Sequence, residues 1–112
     1  MAVQPAGLAI VTTTVASEAD AARLAALLVE GGLAACVQAT RVESTYRWEG
    51  DVRREPEWRL DAKTTRGAAG ALMTALAEAH PYDEPELIVT AVESVSDGYA
   101  AWVRTEVSGS GG

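Results

Sequence analysis

From Val42 to Lys63 the chain alternates with period two on both sides of one glycine. Val42, Ser44, Tyr46 and Trp48 fall on one face of an extended segment that begins at Ala35; Arg41, Glu43, Thr45, Arg47 and Glu49 fall on the other. Gly50 makes the turn, and the returning segment sets Trp58, Leu60 and Ala62 against Arg59, Asp61 and Lys63. Two long alternating strands joined at a glycine predict a β-hairpin that outgrows the core of a small domain. Pro56, which has no N–H, predicts a bulge or an unpaired edge in the second arm.

The flanking patterns predict the other elements. Leu8 to Thr14 is apolar and β-branched, a strand able to be buried on both faces. Ser17 is placed to cap a helix over Glu18 to Glu30, with Leu24, Leu27 and Leu28 inward and Gly31 and Gly32 closing it. Thr65 is placed to cap a second helix over Arg66 to Ala79. Its stripe is Leu72, Met73, Leu76 and Ala79, despite the ~1 kcal/mol cost of an interior glycine at Gly70. Pro81 stops that helix, Glu86 to Glu93 predicts a strand, and Asp97 caps a last helix carrying Tyr99, Trp102 and Val103. The order β-α-β-β-α-β plus a C-terminal helix is an α+β, ferredoxin-like arrangement with helices on one face of an antiparallel sheet.

A chain of 112 residues is long enough for one such domain, assigned to residues 1–107. Residues 108–112 (SGSGG) read as a flexible linker or expression scar. The net charge of −7, with no Lys/Arg cluster, argues against a nucleic-acid partner. No apolar run approaches the ~20 residues of a membrane span, and the N-terminus has no basic-then-apolar signal pattern. Cys36 is the only cysteine, which excludes an internal disulfide and fits a cytoplasmic protein.

Little of this is catalytic chemistry. Cys36 lies in an extended apolar stretch and reads as a buried, inert thiol. His80 ends a helix, where the dipole favours the imidazolium; it is read as a packing or capping residue, with metal ligation as the sharper alternative. Asp83, Glu84 and Glu86 lack calcium-loop spacing and read as a solvated turn able to attract divalent ions loosely. No phosphate loop, dinucleotide fingerprint, nucleophile elbow or zinc spacing is present.

Four blocks occur in one order: LAACV (Leu33–Val37), YRWEG (Tyr46–Gly50), KTT (Lys63–Thr65) and HPYDEPE (His80–Glu86). Together, from about Leu8 to Val107, they resemble the CutA family of divalent-cation tolerance proteins. The resemblance implies a ferredoxin-like homotrimer whose long hairpins extend neighbouring sheets, with Tyr46, Trp48 and Trp58 either anchoring subunits or packing within one chain. It also implies a role in tolerance to copper and other divalent ions, and an architecture similar to PII-like signalling trimers. Family members proposed to bind copper use a cysteine near the end of the first strand and the histidine before PY. Here His80 is present, but Thr13 stands in the cysteine position, and a hydroxyl is a poor ligand for Cu(I). A second departure is WRLDAKTT, which puts Arg59 and Asp61 where an apolar run is usual; likewise Thr90-Ala91 replaces Leu-Pro. If neighbouring chains cover that strand face, unpaired charges there cost several kcal/mol each.

Three readings follow. The leading one is a non-enzymatic trimer that senses a metal or ligand, with Cu2+ or another divalent cation as a weak ligand and no required cofactor. The second is an enzyme, natural or engineered, with a subunit-interface pocket at Arg59, Asp61 and Lys63, Asp61 acting as base or anchor and a cation holding a small anionic ligand. The third is a purely structural trimerisation module.

Overall fold

The computed structural model describes residues 3–5 and 7–107, so the 108–112 tail lies outside the described residues. The elements are β1 (Val3–Pro5), β2 (Leu8–Val15), α1 (Glu18–Glu30), β3 (Cys36–Trp48), β4 (Asp51–Thr65), α2 (Arg66–Ala79), β5 (Ile88–Ala91), β6 (Ser94–Ser96) and α3 (Asp97–Glu106). β3, β4, β2 and β5 form one antiparallel sheet in that order, and β1 pairs with β6 in a small second one. This is the ferredoxin-like topology the pattern predicted.

Alternation decides what each face of the sheet does. Ala9, Val11 and Val15 of β2 and Leu60 and Ala62 of β4 meet Ala21, Leu24 and Leu28 of α1 and Ala69, Leu72 and Leu76 of α2. These residues form the main core, covered by two helices on one face. A smaller cluster joins Leu8 and Ala68 to Ala100, Val103 and Val107, docking α3. Two of the three predicted caps form: Ser17 Oγ accepts from the Asp20 N–H (3.1 Å) and Thr65 Oγ1 from that of Ala68 (3.2 Å).

Three local expectations need correction. Leu27 is 42% exposed; the inward stripe of α1 is Ala21, Leu24 and Leu28. At 3.6 residues per turn Leu27 lies about 60° beyond Leu24, off the buried arc. The strand expected over 86–93 runs only from Ile88 to Ala91, the four residues that find partners on β2, opposite Thr12 to Ala9. Ser96, rather than Asp97, is the N-cap residue of α3, and Asp97 sits in the first turn, where an acid suits the dipole.

The hairpin projects well past the core. β2 pairs with β4 only from Trp58 to Thr65, whereas β3 follows β4 out to the pair Trp48–Asp51. Glu49 (φ 49°) and Gly50 (φ 85°) close it as a two-residue turn with both φ positive, a twist that matches the strands. Pro56 faces Glu43 in unbroken register, so there is no bulge. It lies in the outer arm, where β4 has a neighbour on one side only among the described residues, which leaves room for a residue without an N–H. The arm gives the molecule its 46 × 26 × 20 Å outline.

Candidate functional site

His80 and Thr13, 67 residues apart, meet under the helices: His80 Nε2 is 2.9 Å from Thr13 Oγ1. The other ring nitrogen, Nδ1, accepts the backbone N–H of Tyr82 at 3.1 Å. An accepting Nδ1 puts the neutral ring's proton on Nε2, which donates to Thr13. The backbone N–H of His80 caps α2 through the Leu76 carbonyl (2.8 Å), while the ring is buried. Burial therefore overrides the helix dipole. It lowers the imidazole pKa from its ordinary value, Arg23 adds to the lowering, and the Thr14 backbone, Asp20 and Glu57 oppose it. The expectation of a dipole-favoured imidazolium is corrected: the ring is held neutral.

Copper chemistry at this pair would need a free imidazole lone pair and a soft second donor. Both ring nitrogens are in use, and the neighbour is a hydroxyl. Among the described residues no group of three or more His, Cys, Asp or Glu side chains is placed to hold a metal ion. The donor set at Thr13 and His80, as arranged, does not fit a resident copper ion.

Arg59, Asp61 and Lys63 point from β4 to the sheet face opposite α1 and α2. Arg59 Nε lies 3.2 Å from Asp61 Oδ2, and Thr12 Oγ1 donates to Asp61 Oδ1 at 2.8 Å. Lys63 does not join them; its ammonium sits over the Tyr99 ring, 5.8 Å from the centroid. Cys36 faces Lys63 across the strands as a half-buried free thiol. The trio is thus an ion pair with a hydroxyl partner plus a separate cation–π contact.

A larger concavity lies elsewhere. Where the hairpin leaves the core, the 81–87 segment folds back towards it, and together they enclose a groove of about 540 Å³. Tyr46, Trp48 and Tyr82 supply aromatic walls, and Glu57, Asp83, Glu84 and Glu86 line it with one cation, Arg53. Tyr82 Oη donates to Glu57 Oε2 at 2.8 Å, and Tyr46 Oη donates to Glu55 Oε1. Burial and the Glu57 carboxylate push the Tyr82 phenol well above its ordinary pKa, so it remains a proton donor at any physiological pH. The hydrogen bond to Glu55 raises Tyr46 in the same sense. Sequence reasoning missed this groove. Its one legible signal was that Tyr46, together with Glu55 and Glu57, shares a strand face next to the HPYDEPE block.

Residues 9–106 match the family model described as CutA1 divalent ion tolerance protein. A divalent-cation tolerance protein CutA from Thermus thermophilus is 38% identical over 96 residues, covering 85% of this chain and 93% of that one. The structure of CutA from Synechococcus elongatus superposes with a TM-score of 0.92 at 39% identity, covering 96% of both chains. A second structure of CutA from that organism, complexed with a Bis-Tris molecule, gives 0.88 at 37% identity, covering 95% of this chain and all of the other.

Proposed function

The chain belongs to the CutA1 divalent ion tolerance protein family, and on that footing we propose that it is a non-catalytic homotrimer that senses a small ligand in the cell's response to divalent metal ions, copper included. The observation that carries the assembly is the outer hairpin arm. Beyond the Val15–Trp58 pair, β4 lacks a second neighbour among the described residues, yet Tyr46, Trp48 and Val52 are left exposed there. A strand pair with one open edge and large apolar side chains is completed by a second copy of the chain. Ligand sensing is supported by the groove beside that arm and by the Bis-Tris complex of the Synechococcus elongatus relative. The cytoplasm is the proposed location, supported by the free thiol of Cys36.

Native mass spectrometry with and without Cu2+ tests this reading. A trimer is expected. Copper uptake in a fixed ratio per chain, lost in His80→Ala, would make the metal itself the signal despite Thr13. A trimer that takes up no copper assigns the response to another ligand, and a monomer at micromolar concentration would refute the assembly.

A further inference from the structure

We propose that residues 81–87 are a pH-released strap: a proton on His80 detaches Tyr82 from the core and loosens the strap's grip on the root of the hairpin arm. The device depends on neither the assembly nor the ligand reading above. The segment has few attachments. Pro81 and Pro85 carry no N–H, and among the described residues no backbone–backbone hydrogen bond outside the helices and strands involves 81–87. Leu87 packs against the core at one end. The strap's two hydrogen bonds among the described residues both come from Tyr82. Its N–H donates to His80 Nδ1 at 3.1 Å, and its phenol donates to Glu57 Oε2 at 2.8 Å. Glu57 is the first residue of β4 past the Val15–Trp58 pair, so the phenol holds the root of the arm.

The chemistry of the ring makes the first of these bonds conditional. A neutral imidazole accepts at Nδ1; an imidazolium carries a proton on both nitrogens and accepts at neither. Protonation therefore sets two donors, Nδ1–H and the Tyr82 N–H, against each other, and the bond between them is lost. The ring is the fixed partner, since Nε2 keeps the buried Thr13 hydroxyl and the His80 N–H keeps the Leu76 carbonyl. The strap is the part free to move. With both nitrogens in hydrogen bonds, His80 is here a proton site rather than a metal ligand. The groups around it are Asp20 and Arg23 of α1, Glu57 of β4, the Thr14 backbone of β2 and the Tyr82 phenol. Burial outweighs the attraction of Asp20 and Glu57, so the proton arrives below the ordinary imidazole range.

His80 is the only histidine, so its ring is read by itself in an NMR titration of the full chain. From about pH 7.5 to about pH 5 its nitrogen shifts should pass from the Nε2–H tautomer to the imidazolium. With the same midpoint the Tyr82 amide should shift, and its exchange protection should fall about tenfold, the scale of one lost hydrogen bond. The Glu57 amide should follow, while that of Leu72 in the core keeps its folded position. His80→Gln should abolish the response. Tyr82→Phe removes only the phenol: the Glu57 amide should take its acid-state position already at neutral pH, while the backbone amide at 82 still answers to the ring.

A neutral ring with its proton on Nδ1, or a ring titration that leaves the amide at 82 unmoved, would overturn the proposal. Loss of the folded Leu72 signal at the ring's midpoint would also overturn it, because the event would then be unfolding of the domain and not release of a strap.

Discussion

Replacing Thr13 by valine keeps the shape of the side chain and removes one oxygen. Thr13 is 1% exposed, and its hydroxyl accepts the Nε2 proton of a ring that is itself 9% exposed. Nδ1 is committed to the Tyr82 N–H, so the ring cannot turn over to hide the loss. No buried side-chain nitrogen or oxygen among the described residues lacks a partner, and Thr13→Val would create one. An orphaned buried donor costs about 1–3 kcal/mol, more than an ordinary exchanged hydrogen bond. For a domain of this size that is a fall in Tm of roughly 4–20 °C. Urea unfolding at pH 7.5 and fixed chain concentration measures it, the concentration being held because assembly would add to the apparent stability. A loss below about 0.5 kcal/mol, the level of a neutral surface change, would refute the reasoning and mean that the Thr14 backbone takes over the Nε2 proton.

Four further outcomes follow from the same structure. Burial lowers the His80 pKa on folding, so between that value and the unfolded 6.5 the unfolded state binds more protons. Stability is full above pH 6.5 and falls as pH drops through the folded pKa; urea midpoints from pH 7.5 to 5.5 should show a slope that His80→Gln flattens. Leu72→Ala, at 0% exposure in the core, should cost about 2–5 kcal/mol in the same assay. Thr13→Cys sets a thiol beside His80 and should produce copper binding tighter than that of the parent chain, visible as a thiolate charge-transfer band. Asp61→Leu removes an Arg59 partner that is 25% exposed in one chain and should cost under ~1 kcal/mol in a monomer. A shift in the proposed trimer's balance with monomer on sedimentation would show that the Arg59 face is covered in the assembly.

Most of the fold was legible because its signals are short-range. Ser17 and Thr65 each cap a helix through an N–H three residues on, and the period-two run from Val42 to Lys63 wrote the hairpin directly. The errors came where distant parts decide. A dipole at the end of α2 is visible in sequence, but the burial that outweighs it depends on Thr13 packing from 67 residues away. Leu27 carries an inward residue type, yet its angle on α1 places it outside the arc the sheet covers. The groove was invisible for the same reason: Tyr82 and Glu57 are 25 residues apart, and only the return of the 81–87 segment joins them. The family resemblance named positions 13 and 80, and the structure brings them together, but the chemistry that results is a hydroxyl bonded to a neutral imidazole.

The six positions of β4 that face away from α1 and α2, from Arg53 to Lys63, are all charged, three of each sign. That is an unusual load for a surface proposed to meet other copies of the chain, since a buried unpaired charge costs several kcal/mol. Five of the six have a partner inside the chain: Tyr46 for Glu55, Tyr82 for Glu57, Thr12 and Arg59 for Asp61, Asp61 for Arg59, and the Tyr99 ring for Lys63. Partners supplied in advance lower the cost of covering the face. They also restrict what can cover it, because a copy in the wrong register would meet fixed charges it cannot satisfy. Arg53 is the member for which the groove offers acids from another segment, the Asp83–Glu86 loop. The charged ladder is thus self-paired from Glu55 to Lys63, and its Arg53 end meets the acids of the 81–87 segment.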